Sequence, residues 1–394
     1  MEGFSFYNPV SIFFGNGVRK ELGEKLQGKY SRALLVCSKG PFHENGLYEE
    51  VSENIRKAGI AVLEMEDIDS NPRLSSVRKG GEVCRKNNAD CIIALGSGSA
   101  MDCAKAIGAA ALTDEDPYHF LWGKRMPVVK SVDTIMIPTI AATGTELNRS
   151  AVIVNDDTKE KYFFDSVHPK MAFMDPEITL TVPVRLAVWG AMDILSHTFE
   201  FYFNGNTASE FQCRFSESIL AATMSSVERL VKDPDDLNAR GELMWCAAMT
   251  WGTGLTMIGR GAPDMACHGI EESFSGYFDT HHGACLGVLT PRWMERSYKT
   301  RPDLFARFAK NIFGAGGSND EEASLKGISL YKEWLKKVNA PNTYFDIGRL
   351  EFKDEELGHV AKTACRIYGG GVGKMKRFNE EEAFELLRSG KAAY

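Results

Sequence analysis

The sequence predicts two domains of different class, an α/β domain with a parallel sheet over residues 1–183 and an all-α domain over residues 184–394. Three observations lead to this prediction. The chain has 394 residues, which is more than one core ordinarily serves. Strand-like and helix-like segments alternate in the first half, as they do in parallel sheets with helices on both faces. Beyond Thr181-Val182-Pro183, helical patterns dominate and almost no strand pattern is found.

Short, continuous apolar runs predict buried strands in the first half, because strands of a parallel sheet are covered on both faces. The clearest run ends in Ile92-Ile93-Ala94-Leu95, directly before a glycine-rich turn. The predicted strands are 33–37, 60–63, 90–95 and 134–138, and the predicted helices between them are 47–58 and 75–88. This order of elements indicates strands joined by crossover helices.

Helical spacing of apolar residues accounts for much of the second half. The predicted helices are 185–203, 208–231, 238–254 and 325–337. The domain boundary is therefore placed near residue 183.

Composition narrows the possible function. Hydrophobic residues make up 44% of the chain and charged residues 25%, as in folded globular proteins. The net charge of −7 argues against a nucleic-acid partner. No apolar stretch approaches 18 residues, so no membrane span is expected. Nine scattered cysteines without a CxxC pair, and no signal-peptide pattern at the start, indicate reduced thiols in the cytoplasm.

A glycine-serine turn, Gly96-Ser97-Gly98-Ser99, lies between a predicted strand and a predicted helix. Glycines there let backbone N–H groups approach a phosphate, and the start of the helix adds free donors and a favourable dipole. Ser99 is a candidate cap for that helix. The turn is neither GxGxxG nor a Walker loop, so a plain strand-to-helix turn is the alternative.

The segment Pro138–Glu146 is a second candidate for cofactor contact. It follows a strand, and its small and hydroxylated side chains could hydrogen-bond a diphosphate or a ribose. Taken by itself, an ordinary loop is the more common interpretation.

One carboxylate and three imidazoles form a candidate first shell for a divalent metal. Asp193 and His197 are four residues apart, so on a helix they share one face. A surface pair is the alternative, but the neighbouring residues are apolar or small. His268 and His282 would lie about 21 Å apart on an unbroken helix, so shared ligation requires a chain break between them. His281 is an alternative ligand from the same turn.

Several motifs together resemble the iron-containing (group III) alcohol dehydrogenase family, and its butanol dehydrogenase branch in particular. Residues 96–105 are similar to the family's GGGSxxDxxK turn, with Ser97 in place of the middle glycine. Residues 141–148 resemble its ATGSEMN segment. The opening FYNPVSIFFGNG and the stretch from His282-Gly283 to LTPRWM at 289–294 also fit.

The resemblance implies a fold, a reaction and a set of site residues. The fold would be a Rossmann-like domain followed by a helical domain, as in dehydroquinate synthase. The reaction would be metal-dependent, NAD(P)(H)-linked interconversion of small primary alcohols and aldehydes, by a homodimer that associates through the N-terminal domain. Iron(II), or zinc in some members, would be bound by Asp193, His197, His268 and His282. The cofactor would be contacted by Gly96, Ser97, Gly98, Ser99, Asp102, Thr139, Thr143 and Asn148.

One departure from the family bears on catalysis. Many members have a histidine four residues after the third metal ligand, proposed to relay a proton, and this chain has Glu272 there. Glu272 is therefore the candidate catalytic residue. If it does not replace the histidine, activity would be weaker or different.

The residues after the second strand bear on cofactor choice. Family members that prefer NAD tend to have an acid there, whereas this chain has Ser38 and Lys39. A 2′-phosphate would not be repelled and both side chains could contact it, which favours NADP(H) over NAD(H). The alternative is that Lys39 is simply solvated.

Two other functions are compatible with a nucleotide site and a metal site in one chain. A dehydroquinate synthase-like lyase would also combine a nicotinamide cofactor with a metal, but it needs a basic cluster that is not seen near the metal segment. A degenerate paralogue that binds nucleotide or metal without catalysis is the second, suggested by Glu272.

Overall fold

The computed structural model describes residues 2–123, 128–206, 209–348 and 351–394. Contacts divide the chain into two compact units. The α/β unit is Tyr7–Val182, and the helical unit is Pro183–Tyr394 together with the N-terminal segment up to Phe6. The assignment of nucleotide binding to residues 1–183 and of metal binding to residues 184–394 stays a prediction.

The α/β unit contains eight strands and four α-helices in its described part. The strands are β1 Ser11–Phe14, β2 Arg32–Ser38, β3 Ala61–Ile68, β4 Cys91–Gly96, β5 Asp133–Pro138, β6 Ser150–Val154, β7 Lys161–Asp165 and β8 Met171–Met174. The helices are α1 Leu22–Leu26, α2 Leu47–Lys57, α3 Leu74–Asn87 and α4 Gly98–Ala110. Short 3-10 or π turns occupy Val18–Glu21, His119–Gly123, Thr145–Leu147 and Pro176–Thr181.

Six strands form a parallel sheet in the order β1-β8-β5-β4-β2-β3. This confirms the predicted parallel α/β class. Strand β4 lies inside the sheet and all six of its residues are buried. The glycine-serine turn follows at its carboxyl end, where ligands bind in open α/β sheets.

One face of the sheet has a continuous apolar core, because alternate residues of β2, β4 and β5 point the same way. The core residues on these strands are Ala33, Leu35, Cys37, Cys91, Ile93, Leu95, Ile135 and Ile137. Val51 and Ile55 of α2 pack in the same cluster. Each fully buried leucine or isoleucine side chain contributes about 1.5–3 kcal/mol to folding. A shift of one residue would turn these side chains to the other face, so their burial fixes the strand register.

The antiparallel pair β6 and β7 was not predicted. Its signal is present in the sequence, since two runs of apolar and aromatic residues flank the polar turn at Asn155-Asp156-Asp157. The hairpin follows the second cofactor-contact segment and lies against α4 through the hydrogen bonds described below.

The helical unit has no strand among its described residues, apart from one isolated bridge between Val372 and Phe378. Its helices are α5 Val184–Tyr202, α6 Glu210–Lys232, α7 Leu237–Ala247, α8 Ala266–Phe278, α9 His282–Ser297, α10 Pro302–Phe313, α11 Asp320–Lys337, α12 Asp354–Ile367 and α13 Glu380–Ser389. Short 3-10 or π turns lie at Ala248–Gly252, Leu255–Met257 and Tyr298–Thr300.

The four predicted helices are confirmed as α5, α6, α7 with its π turn, and α11. The predicted start of the second of these, Ala208, lies outside the described residues. Helices α8, α9, α10, α12 and α13 were not predicted. In α8 and α9 nearly every residue is buried, which removes the amphipathic pattern. Helices α10, α12 and α13 each keep an exposed face, so their pattern is present in the sequence. Pro291 inside α9 further obscures that helix.

Helix α5 is the central element of the helical unit, with every residue from Ala187 to Tyr202 buried. The N-terminal segment joins this unit because Glu2 N donates to Gly259 O at 3.0 Å and Asn206 Nδ2 donates to Glu2 Oε1 at 2.7 Å. The sequence-based division at residue 183 did not foresee this crossing. In the described part of the chain, no helix combines the length and the apolarity needed to cross a membrane.

Candidate functional site

Helix α5 supplies the first two predicted metal ligands. Asp193 and His197 are both buried and face each other one turn apart, with His197 Nδ1 3.2 Å from Asp193 Oδ1. The surface-pair alternative is wrong, because residue Asp193 is only 1% exposed. A carboxylate placed this deep requires a compensating charge or donor.

The chain break predicted between His268 and His282 is present. Helix α8 ends at Phe278, Asp279 adopts the left-handed conformation with φ of +56°, and α9 begins at His282. A Cβ on Gly283 would lie 2.2 Å from Trp189 O of α5. Only glycine therefore lets the start of α9 approach α5 closely enough to bring His282 beside Asp193.

Asp193, His268 and His282 form one group, whose ligand atoms all lie within 4.8 Å of one another. Asp193 Oδ1 is 3.5 Å from His268 Nε2 and 3.6 Å from His282 Nε2. Ligands of one ion, each about 2.0–2.2 Å from it, lie roughly 3–4 Å apart. The spacing of these three donor atoms thus matches a shared metal ion.

The other two candidate histidines lie outside this three-residue group, but His197 contacts two of its members. His197 is not a member, although its ring stacks on His268 with centroids 4.2 Å apart. The sequence-predicted alternative ligand His281 is not a member either, and its ring packs 4.7 Å from Trp189. The fourth ligation by His197 stays a prediction.

Two buried glutamates contact the Nδ1 atoms of His268 and His282, which are the ring nitrogens that do not face Asp193. Neither glutamate was identified from the sequence. His268 Nδ1 lies 2.8 Å from Glu200 Oε2, and His268 N donates to Glu200 Oε1 at 2.9 Å. His282 Nδ1 contacts Glu271 Oε2. Such carboxylates fix the ring orientation and make the inner nitrogen a better ligand. Helical spacing could have indicated them, since Glu200 is seven residues after Asp193 and Glu271 three after His268.

The electrostatics of the group suit a cation. Burial raises the pKa of Asp193, but the imidazoles of His197, His282 and His268 outweigh it and hold the pKa well below its usual range. Burial lowers the pKa of His197 to about 3, against the opposing effect of Asp193. An ionised carboxylate and a neutral imidazole are the forms that bind metal. His268 differs, because burial lowers its pKa but Glu200 and Asp193 outweigh burial and raise the pKa well above the usual value, so a metal must displace a proton from this ring. Nitrogen and oxygen donors of this kind fit iron(II) and zinc(II) alike.

Glu272 is buried on α8, and the hydroxyl of Tyr368 donates to its Oε2 at 3.3 Å. Sequence reasoning did not identify Tyr368, which lies 96 residues further along the chain. The contact gives the carboxylate a hydroxyl partner within reach of proton exchange.

In the α/β unit, the glycine-serine turn connects β4 to α4 as predicted. Ser97, and not Ser99, occupies the N-cap position of α4, and its side chain makes no capping hydrogen bond. The predicted cap at Ser99 is therefore wrong, because its hydroxyl donates to Ser70 O instead. Ser38 lies behind the turn, where its Oγ accepts from Ser97 N at 3.1 Å.

The second cofactor segment packs beside this turn. Thr139 N donates to Gly96 O at 2.9 Å, and a Cβ on Gly98 would lie 2.8 Å from Thr143 Oγ1. The two candidate phosphate-contact segments thus form one surface. Asn148 is buried, and its Oδ1 accepts from Lys105 Nζ at 2.9 Å.

Asp102 points into the unit, where both carboxylate oxygens are engaged. Oδ1 accepts from Thr145 Oγ1 at 2.5 Å, and Oδ2 accepts from Val152 N at 2.9 Å. Its assignment as a direct cofactor contact stays a prediction that these bonds do not favour.

Lys39 lies at the exposed end of β2. Its Nζ is 2.5 Å from Asp69 Oδ1, and both side chains are largely exposed. The acid absent after the second strand is therefore supplied after the third, a position the sequence interpretation did not consider.

Two family models match the chain. The model described as iron-containing alcohol dehydrogenase matches residues 9–176, and the model of the C-terminal region of the Fe-containing alcohol dehydrogenase family matches residues 187–390.

Individual relatives match along nearly the whole chain. A probable NADH-dependent butanol dehydrogenase of Bacillus subtilis (strain 168) is 34% identical, over 99% of this chain and 100% of the relative. An NADPH-dependent aldehyde reductase of Escherichia coli (strain K12) is 27% identical, over 88% of this chain and 90% of the relative. The crystal structure of an NADH-dependent butanol dehydrogenase from Thermotoga maritima superposes with a TM-score of 0.93 at 35% identity, covering 100% of this chain and 99% of that one.

Proposed function

Because the chain belongs to the iron-containing alcohol dehydrogenase family, we propose that it interconverts small primary alcohols and aldehydes with a nicotinamide cofactor. One observation on this chain supports the metal-dependent part of the proposal. Asp193, His268 and His282 bring their donor atoms together around a common centre, although 75 to 89 residues of chain separate the aspartate from the two histidines.

When bound, the metal would polarise the substrate oxygen, and the nicotinamide would give or take the hydride. Asp193, His197, His268 and His282 would hold the metal. Asp193, His197 and His268 are buried and His282 is partly exposed, so little water reaches the donor atoms and the electrostatic interactions of the site are strong.

Glu200 and Glu271 would orient the imidazoles. Each contacts the Nδ1 of one histidine, so each histidine keeps its Nε2 towards Asp193. This arrangement leaves no need for a ring to rotate before it binds the metal, which favours affinity.

The turn from Gly96 to Ser99 would receive the cofactor diphosphate at the start of α4, where backbone N–H groups and the helix dipole favour an anion. Thr139, Thr143 and Asn148 would contact the remainder of the cofactor. Asp102 accepts hydrogen bonds from Thr145 and Val152, which favours a role in holding these residues in place over direct contact with the cofactor.

Glu272 would carry the proton that is exchanged with the substrate oxygen. Burial and the hydrogen bond from Tyr368 support this role, because they hold the carboxylate in one orientation. In the direction of alcohol oxidation Glu272 would accept the proton, and in aldehyde reduction it would return it.

We further propose that the chain prefers NADP(H), with Lys39 as the contact for a 2′-phosphate. The exposed ammonium supports this preference, and Asp69 works against it because a phosphate must compete with that carboxylate. The relatives include proteins named for each cofactor.

A homodimer is proposed on the basis of the edge strand β1. Ile12 and Phe14 of β1 expose large apolar side chains, as does Tyr7 shortly before the strand, and an open strand edge with such side chains is suited to association. Light scattering coupled to size exclusion tests it, with a monomer as the contrary outcome. A cytoplasmic location is also proposed, and nine free, buried cysteines are compatible with it.

The experiment for the reaction combines metal analysis with a panel of aldehydes, including butanal, assayed with NADPH and with NADH. We expect oxidation of the reduced cofactor that a chelator abolishes and that iron(II) or zinc(II) restores. Activity that survives complete metal removal would overturn the proposal. Release of phosphate from a sugar-acid phosphate, without net cofactor turnover, would point to the lyase alternative.

A further inference from the structure

A lysine inside the α/β unit is fully buried, which is unusual for this residue type. Lys105 lies on α4, two helical turns beyond Gly98. Its Nζ donates to Thr145 O and Thr145 Oγ1, each at 2.6 Å, to Ser150 O at 2.7 Å and to Asn148 Oδ1 at 2.9 Å. An ammonium has three N–H groups, so these four acceptors satisfy it completely.

Asp102, one turn earlier on α4, brings the opposite charge: burial raises the pKa of its carboxyl group, and Lys105, Thr145 and Val152 oppose that rise. Its two oxygens accept from Thr145 Oγ1 and from Val152 N. The hydroxyl of Thr145 thus lies between the carboxylate and the ammonium. Together the two charges attach residues 145–152 to the helix that begins at the glycine-serine turn.

We propose that Asp102 and Lys105 are positioning residues, which hold residues 143–150 against the glycine-serine turn in the conformation that binds the cofactor. The inference rests on the proposed function only in taking these two segments as the cofactor-binding surface. It assigns neither charged group to contact with the cofactor.

The arrangement also selects the orientation of Asn148. A lysine ammonium can only donate, so the amide must present Oδ1 to it and direct Nδ2 elsewhere. Asn148 can then offer the cofactor N–H donors, which recognise phosphate, ribose or carboxamide oxygens. Without the ammonium, both orientations of the amide become accessible and the donor is no longer in place.

A purely stabilising role does not explain the buried charges, since well-packed apolar side chains would stabilise a core equally well. The geometry instead links the pair to binding. The Thr143 side chain lies against Gly98, so movement of residues 143–150 changes the surface beside the turn.

The first test measures cofactor affinity by fluorescence titration of NADPH and NADH on the full chain. We expect Lys105→Met to weaken binding of both cofactors by about tenfold to a hundredfold, the range for removing one partner of a buried hydrogen-bonded group. Lys105→Arg should recover part of the loss. Lys170→Met, which removes an exposed ammonium from the same unit, serves as the charge control.

A second pair of variants avoids deleting a buried charge. Thr145→Val removes the bridging hydroxyl at nearly constant volume, and Thr145→Ser keeps it. We expect weaker cofactor binding and faster amide exchange over residues 143–150 for valine, and behaviour near wild type for serine. Unchanged affinity and exchange in both Thr145→Val and Lys105→Met would overturn the inference.

A pH profile provides a readout that simple destabilisation would not reproduce. Burial lowers the pKa of Lys105 to about 8, against the raising effects of Asp102, Glu146 and Asp165. Above that pH the ammonium loses its charge, so wild-type cofactor affinity should fall between about pH 8 and pH 10. Lys105→Arg stays charged and Lys105→Met has no titrating group, so neither should show this fall.

The outcomes separate this inference from the proposed function. If the wild-type chain binds neither NADPH nor NADH, the proposed function fails and the inference fails with it. If the wild type binds and Lys105→Met binds equally well, only the inference fails.

Discussion

The α/β unit and the helical unit each bury a cluster of charged side chains, and the two clusters differ in how they are balanced. In the α/β unit, the ammonium of Lys105 donates to four protein oxygens, and one of them, Thr145 Oγ1, donates in turn to the carboxylate of Asp102, so the polar groups of the cluster satisfy one another. In the helical unit, the carboxylates of Asp193, Glu200 and Glu271 contact imidazoles, which carry positive charge only when protonated. The first cluster holds two segments of the chain together without an external partner, whereas the second has the composition of a cation-binding site.

The difference follows from the chemistry of the donors. A lysine is charged at neutral pH and its ammonium only donates hydrogen bonds, so it can satisfy oxygens without any external partner. Imidazoles and carboxylates together offer mostly lone pairs, and lone pairs that converge in a buried place favour a metal ion. Burial of charged groups therefore does not by itself identify a metal site. A metal site is indicated where converging lone pairs outnumber the N–H and O–H groups that could satisfy them.

The largest expected effect contrasts two adjacent histidines. His282→Asn should abolish stoichiometric metal binding and activity, because even outer partners of metal ligands are worth about 10–100-fold in affinity. His281→Asn should retain the metal, since the His281 ring packs on Trp189 outside the donor group. Metal content per chain after purification measures both. Equal metal loss in the two variants would contradict the assignment.

The second effect tests whether Lys105 and Asp102 balance each other's charge within the protein. Lys105→Met leaves Asp102 buried without its counter-charge and should cost about 3–5 kcal/mol of unfolding free energy. The double variant with Asp102→Asn should cost less, because it removes both charges. Urea unfolding followed by circular dichroism, with Lys170→Met as control, measures these differences. Additive losses in the double variant would show that the pair is not coupled.

A third effect concerns the outer carboxylate of His282. Glu271→Gln keeps the size of the side chain but removes its charge, and should weaken metal binding by about tenfold to a hundredfold. Competition with a chromophoric chelator measures the affinity directly and does not depend on turnover. The corresponding change in the lysine cluster, Thr145→Val, should leave metal affinity unchanged. A metal affinity that is insensitive to Glu271→Gln would remove this residue from the site.

The smallest effect is expected at the exposed pair of Lys39 and Asp69. Exposed ion pairs of this kind contribute at most about 1 kcal/mol, so changes of only a few fold are expected. Asp69→Asn should raise the ratio of NADPH to NADH turnover efficiency, and Lys39→Ala should lower it. Steady-state kinetics with both cofactors measure the ratio. Changes in the reverse directions would contradict the preference proposed for Lys39.

Much of the fold was predictable because the local patterns are strong. Short apolar strands, a glycine turn after β4 and the loss of strand patterns beyond Pro183 were sufficient for the α/β and all-α classes, and the family resemblance is confirmed. Helices α8 and α9 escaped prediction because complete burial removes the polar face that identifies a helix. The hairpin of β6 and β7 was missed although its pattern is present.

The site residues also fall into those that the sequence predicted and those that it did not. The ligand types and the need for a break before His282 could be inferred from residue identity and helical spacing. Glu200, Glu271 and Lys105 were not inferred, because a buried charge has meaning only through the groups that face it. For Asp102, the motif suggested the cofactor as partner, whereas its hydrogen bonds run to Thr145 and Val152.

By itself, the sequence determined the kinds of element, their order, the family and the donor atoms available for a metal and a dinucleotide. These properties depend on residues close together in the chain or on recognisable motifs. The tertiary structure alone decided which of the donors share a centre, which histidine packs on a tryptophan, and which charges are balanced within the protein. The reason is physical: coordination and charge compensation act over a few ångströms of space, and only folding brings residues about 70 to 90 positions apart within that distance.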